Sequence, residues 1–296
     1  MDVGDLQVFE AVARLGGMNR AALELNTVQS NVTARIKALE SDLGCALFAR
    51  HSRGVSLTPA GQRLLPYADR ASRLLSDARR AARDDGVPQG LLTIGSLETT
   101  AALRLTPLLT RYATGNPAVD LVLRPGTTRE LIADTLVGQV DGAFVCGPAA
   151  HPELREEVMF REELAMLAAP TVSSLDEALA GGTVRIVVLR AGCSYRQMLE
   201  TLLTRRGIAV QRHLEFGTLE AIFGCVAAGL GITMMPRALI GGVCAAGRVS
   251  AHALPPADAM VETVFIRRRG SFASSALKAF LACACSRSAE EAETNN

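Results

Sequence analysis

The 296-residue chain lacks an excess of charge of either sign: 31 Lys and Arg stand against 30 Asp and Glu, a formal net charge of +1. Overall charge therefore does not announce a nucleic-acid partner, and a basic footprint has to be sought locally. Long apolar runs are missing too. Mean hydropathy is +0.22, yet the longest such run, Ala221 to Met235, is interrupted by Gly224, Gly229, Gly231 and Thr233 and is too short to span a bilayer. The opening MDVGDLQ has no basic segment leading into an apolar core, so no signal peptide is expected. The expectation is a soluble, cytoplasmic protein with no membrane partner. No CxxC pair occurs among the 7 Cys, an odd number, which favours reduced thiols over a disulfide scaffold. The scattered His51, His151, His213 and His252 make no metal set with one another or with the Cys, so neither a metal nor a cofactor is expected.

What is present is concentrated first in residues 18–61. A helix over Asp5–Leu15, with Leu6, Phe9, Val12 and Ala13 on one side, is stopped by Gly16-Gly17. Asn19 is a candidate N-cap for a second helix to about Leu25, whose apolar face is Ala22, Leu23 and Leu25. A third helix, about Val28 to Leu43, carries Val32, Ile36, Leu39 and Leu43 at spacings of 4, 3 and 4 as one buried stripe. Its other face holds Gln29, Ser30, Asn31, Thr33, Arg35 and Lys37. Any soluble helix has a polar face, but amides and hydroxyls packed into the first turn suit base edges, and the two cations suit phosphates. The segment Leu47–Leu57 turns at Ser52-Arg53-Gly54, a two-stranded wing whose tip carries Arg50, His51 and Arg53. It is either an ordinary hairpin with solvated charges or a wing pressing Arg53 on the backbone or minor groove. Across 35–53, Arg35, Lys37, Arg50 and Arg53 face only Glu40 and Asp42, a local surplus of +2. That is small, so specific binding calls for two copies.

The run Gln29-Ser30-Asn31-Val32-Thr33, then Ile36, Leu39-Glu40, Leu43-Gly44, Leu47-Phe48, Arg50 and Leu57-Thr58-Pro59-Ala60-Gly61 resembles the N-terminal domain of the LysR-type transcriptional regulators over nearly all of the first 65 residues. The resemblance implies an N-terminal all-α winged helix-turn-helix on double-stranded DNA, with Thr27, Gln29, Ser30, Asn31, Thr33, Arg35, Lys37, Arg50 and Arg53 as its contacts. There are two departures. Many members have Ser where this chain has Val28, which passes the N-cap role to Thr27. Ala34 replaces a frequent Arg, a contact that Arg35 is expected to cover.

From Pro59 to about Asp85, Leu64, Ala68, Ala71, Leu75, Ala78 and Ala82 step by 4, 3, 4, 3 and 4, a heptad seam. A lone helix leaves such a seam wet unless it lies on its own domain. The resemblance implies antiparallel pairing with a second copy, and a homotetramer built from two dimers. Residues 84–90, DDGVPQG, form a hinge. The expected domains are 1–61, a linker helix and hinge over 62–89, and an effector domain over 90–296.

After the hinge, strands alternate with helices: strands at 91–95, 120–123, 142–146, 184–189, 212–216 and 232–235, and helices over 100–113, 128–138, 194–206, 218–229 and 272–285, with a disordered tail from Ser286. The pattern implies α/β architecture with parallel sheets covered on both faces. A break near 160–165 and a return near 264–268 resemble the two-lobed, periplasmic-binding-protein-like effector domain of the family, lobe I being about 90–162 and 267–286 and lobe II about 163–266.

A ligand in such folds sits beyond the strands' carboxyl ends, where helix N-termini present N–H groups. Candidates at these junctions are Ser96, Thr99, Thr100, Thr127, Gly147, Cys193, Tyr195, Arg196, Phe216 and Thr218. Each Ser or Thr is equally an ordinary N-cap. Together they suit a small organic acid, with Arg196 clamping the anion and Tyr195 stacking on it. Cys193 before a helix N-terminus also admits a redox-sensing regulator, or a thiol enzyme with His213 as base; nothing marks His213 for that role, and no enzyme is expected. Cys146, Cys225, Cys244, Cys283 and Cys285 are expected to fill core space.

Overall fold

A computed structural model describes residues 1–51 and 54–294. Its contacts fall into two compact units, Met1–Asp84 and Asp85–Asn296.

In the first unit, α1 (Val3–Leu15) opens on a capping box between Asp2 and Asp5 and ends on Gly16 in the left-handed region, φ 66°. The next helix, α2 (Met18–Glu24), is capped by Gly17 with no side-chain bond, so Asn19 is not its N-cap. Its buried face is Met18, Ala21 and Ala22, while Leu23 is 77% exposed. The following α3 (Gln29–Leu43) buries Val32, Ile36 and Leu39 against Phe9 and Val12 of α1. Leu43, expected on that stripe, is on the surface in the last turn. No side chain caps α3: Val28 holds the N-cap, and the Thr27 hydroxyl instead accepts the Asn31 amide at 3.0 Å. An apolar N-cap forgoes about 1 kcal/mol.

The antiparallel pair β1 (Phe48–His51) and β2 (Gly54–Leu57) forms the wing. Glu40 of α3 holds its root, accepting the N–H groups of Leu47 at 2.7 Å and Phe48 at 3.2 Å. Thr58 caps α4 (Pro59–Arg83), accepting the Gly61 N–H at 3.1 Å. Helix α4 lies on α1 with Ala68 fully buried and Leu64 half-buried in the same core. The heptad seam is therefore split. Its first positions serve the chain's own domain, and Ala78 and Ala82 face outward beyond the exposed Tyr67 and Leu74.

The second unit starts with β3 (Gly90–Ser96), followed by a helical stretch of α5 (Glu98–Thr100), a π turn over Ala101–Leu105 and α6 (Thr106–Gly115). Next come β4 (Val119–Pro125), α7 (Thr128–Val137), β5 (Gly142–Cys146), β6 (Leu154–Ala168), α8 (Leu175–Ala178), β7 (Thr183–Leu189), α9 (Ser194–Arg205), β8 (Ala209–Phe216), α10 (Leu219–Ala227), β9 (Thr233–Pro236), α11 (Arg237–Ala245), β10 (Ser250–Ala253), β11 (Met260–Arg268) and α12 (Ser275–Thr294).

The sheets are mixed, not purely parallel. Strand β3 pairs parallel with β4 and β5, and β7 with β8, but β11 runs antiparallel to both β5 and β6. The long β6 changes partners along its length: Leu154–Glu163 pairs with β11, and Leu164–Ala168 with β9 and β10. Among the described residues, β6 and β11 carry the chain between the two lobes.

One face of the first lobe's sheet is closed by α6 and α12, where the Tyr112 hydroxyl donates to the Ala276 carbonyl at 2.8 Å. The backbone of α12 stays helical to Thr294, where disorder was expected from Ser286. Its last turns are rich in Ala and Glu, strong helix formers.

Candidate DNA-reading surface and effector cleft

At the start of α3, Gln29, Ser30 and Asn31 are exposed side by side, with Lys37 further along. Thr27 and Thr33 are half-buried. Arg53 and the side chain of Arg50 lie outside the described residues. Arg35 does not project with the others. Its Nε and Nη2 donate to Asp5 Oδ1 at 3.0 and 2.8 Å, and Nη2 reaches Asp2 Oδ1 at 3.2 Å. Burial raises the Asp5 carboxyl, but the Asp2 backbone N–H and the Arg35 guanidinium outweigh it and hold it below the ordinary value. Arg35 thus ties α3 to the first turn of α1, a correction to its expected role as a reader.

In the second unit, a cavity of about 390 Å³ opens between the carboxyl ends of β3 and β4 on one lobe and β7 and β8 on the other. Of the expected residues, Thr99, Thr127, Cys193 and Tyr195 line it, joined by Leu97, Glu98, Gly126, Arg190, Ser194 and Gly217 among others. The remaining candidates lie elsewhere. The fully buried Ser96 donates its hydroxyl to the Leu97 carbonyl at 2.9 Å, and Thr100 is buried beneath the wall. Thr218 caps α10, leaving Gly217 rather than Phe216 or Thr218 on the cavity. Gly147 lines a second cavity of about 430 Å³ with Thr128, Ser194 and Arg205.

Arg196 is no anion clamp. Its Nε donates to Glu200 at 3.0 Å and its Nη1 to Glu215 at 2.8 Å, and these bonds keep its guanidinium firmly protonated. The cation on the cleft wall is Arg190, one residue past β7. Hydroxyls at helix starts do not point to Arg190; its signal in the sequence is a cation directly after a strand.

Among the described residues, hydroxyl contacts cross from lobe to lobe: Ser194 to Thr128 at 2.9 Å and to the Cys146 thiol, and Thr99 to Tyr195 at 3.5 Å. Thr127 belongs to a capping box with Glu130, so the donors of α7 are partly satisfied from within. Helix α9 opens at Cys193 with no side-chain cap and is the better presenter of N–H groups to the cavity.

Burial pushes the Cys193 thiol up, despite hydrogen bonds from the Arg196 and Tyr195 backbone that pull the other way. Burial raises Cys146 as well. His213 lies 3.0 Å from Glu200, which gives it a carboxylate neighbour on α9. Cys225, Cys244 and Cys283 pack against the cores, whereas Cys285, expected inside, is exposed. Among the described residues, no cluster of His, Cys, Asp and Glu could hold a metal ion, and no helix is long and apolar enough to cross a membrane.

Residues 3–62 match the family model for the bacterial regulatory helix-turn-helix proteins of the lysR family, and residues 85–288 match the LysR substrate binding domain. The chain belongs to the LysR family: it is a DNA-binding transcriptional regulator with a family-type effector domain. It is 43% identical over 284 residues to the transcriptional regulator GltR of Bacillus subtilis, covering 95% of each. It is 39% identical over 281 residues to CzcR of Bacillus cereus, covering 95% of this chain and 96% of that one. Both of these relatives are transcriptional regulators. Full-length CbnR in complex with its target DNA is 25% identical with a TM-score of 0.59, over 97% of this chain and 100% of that one. A full-length OxyR variant from Pseudomonas aeruginosa, at 19% identity, a TM-score of 0.69, and 96% and 94% coverage, shares the fold.

Proposed function

We propose that two copies of this protein set Gln29, Ser30 and Asn31 into successive major grooves of an imperfect palindrome, with Lys37 on phosphate and the wing residues Arg50 and Arg53 on the backbone beside it. The observation that carries this is the first turn of α3: three polar side chains exposed together over a buried stripe of Val32, Ile36 and Leu39. The exposed Tyr67 and Leu74 of α4 support pairing of two copies, and two such dimers form the tetramer. The protein works in the cytoplasm, where its DNA is, and has no catalytic role. Replacing Gln29 by Ala is expected to cost about 1–3 kcal/mol at the operator while sparing non-specific binding. Equal losses on both would make Gln29 a backbone contact.

The effector is a small carboxylate held in the 390 Å³ cleft. Arg190 meets its charge, the N–H groups that open α9 receive it, and Leu97 and Leu189 cover its apolar part. Binding biases one arrangement of the lobes, and so of the assembled regulator on DNA. Calorimetry with a panel of carboxylates and amines tests this: carboxylates should bind, and Arg190→Ala should weaken them at least tenfold. Tight binding of a purely cationic ligand would remove the idea.

A further inference from the structure

Val28 stands out at the mouth of the recognition helix. It is 64% exposed, whereas the residues that follow it, Gln29, Ser30 and Asn31, are exposed and polar. It also occupies the N-cap of α3, a position for which a β-branched apolar side chain is among the poorest choices. Neither neighbour makes up for it: the Thr27 hydroxyl is turned to the Asn31 side chain, and no side chain caps the helix. An isolated exposed valine needs no explanation on most surfaces. Here the chain gives up a cap to keep one, on the end of the helix that meets base edges.

Within the major groove, the 5-methyl of thymine is the apolar group that such a side chain can pack against, and it distinguishes thymine from every other base. We infer that Val28 is a specificity-determining residue that reads a thymine methyl in each half-site. The inference rests on α3 being the reading helix, and it adds a contact that the polar face cannot make. Val28 lies at the N-terminal edge of that face, next to Gln29, so the thymine it reads adjoins the base pair addressed by Gln29.

The test uses the full-length protein and duplexes that it selects from a random-sequence library. Each thymine of the selected half-site is replaced in turn by deoxyuridine, which lacks only the 5-methyl group. Wild type should lose affinity at one position, about fourfold for one half-site and about fifteenfold when both are changed, the size expected for burial of one methyl each. Val28→Ser should be indifferent to uracil at that position while keeping the wild-type response at every other thymine. The same variant restores a capping hydroxyl, so its melting temperature should rise by a few degrees, which separates a lost contact from a damaged fold. Selected half-sites that share no thymine, a wild type indifferent to every uracil, or a Val28→Ser protein with the wild-type uracil profile would each overturn the inference and leave DNA binding through α3 standing. Failure to select any sequence would instead sink the reading of α3 itself.

Discussion

Replacing Arg35 by Ala separates two physical roles that a cation on α3 could have. Its guanidinium makes two short bonds to Asp5, whose side chain is 18% exposed, and a longer one to Asp2, which is 70% exposed. Charge-assisted bonds of this kind contribute about 1.5–3 kcal/mol when sheltered. Arg35 is itself 35% exposed, so solvent screening brings the expected loss to roughly 1–2 kcal/mol. Amide exchange in the full-length protein should then quicken by about 5- to 30-fold at α1 and α3. The effect has a defined pH dependence. Asp5 has a lowered carboxyl value in the folded chain, so its contribution is complete above the ordinary value of 3.8 and disappears as pH falls through the lowered one. Wild type and variant should therefore converge in acid. A phosphate contact predicts something else: loss of one Arg per copy would reduce the salt slope of operator binding by about 2 for a dimer. An unchanged exchange pattern together with a reduced slope would refute the assignment of Arg35 to the α1 tie.

Gly61→Ala should destabilise the first unit by more than about 2 kcal/mol by overpacking, because its Cβ would lie 2.3 Å from the Leu47 carbonyl oxygen and that backbone cannot move aside; an unaltered thermal melt would contradict this. The buried thiols Cys146 and Cys193, both raised, should react slowly with iodoacetamide at pH 7 beside the exposed Cys45, and should speed up only as pH climbs past the ordinary thiol value. Fast labelling of Cys193 at neutral pH would reopen a redox role.

How much of this was legible depended on the range of the forces involved. The stripe of Val32, Ile36 and Leu39 could be read because helical periodicity and burial are the same fact seen twice. The tie made by Arg35 is hidden in the sequence because its partners, Asp2 and Asp5, are 33 and 30 residues away in the chain. The partners of Arg196 are half legible: Glu215 is distant, but Glu200 is its i+4 neighbour, which the charge pattern of the helix exposes. Leu23 and Leu43 belong to the apolar pattern yet lie outside the core, because a short helix and a last turn each leave one flank uncovered. Strand β6 was visible only as a break near 160–165, because Glu156, Glu157, Arg161, Glu162 and Glu163 disguise a strand that serves two lobes. The helix α11 and strand β10 were missed, since Gly241, Gly242 and a four-residue strand give little periodic signal.

The architecture of the second unit bears on how a small ligand can act at all. Two strands join the lobes. The buried Glu162 of β6, held by Arg104 at 2.8 Å, fixes that strand to the first lobe at the crossing, with the Arg104 guanidinium also over the Phe160 ring at 5.6 Å. Across the cleft itself, neutral side chains meet: Ser194 reaches Thr128 and the Cys146 thiol, and Thr99 reaches Tyr195. Neutral bonds of this type net only about 1 kcal/mol each, because water replaces them when they open. A ligand that favours one lobe arrangement by about 2–3 kcal/mol, as a single well-placed carboxylate on Arg190 can, is therefore comparable to what holds the cleft in its present form. Buried ion pairs across the cleft would have put that switch beyond the reach of a small molecule; neutral hydroxyl contacts keep it within reach.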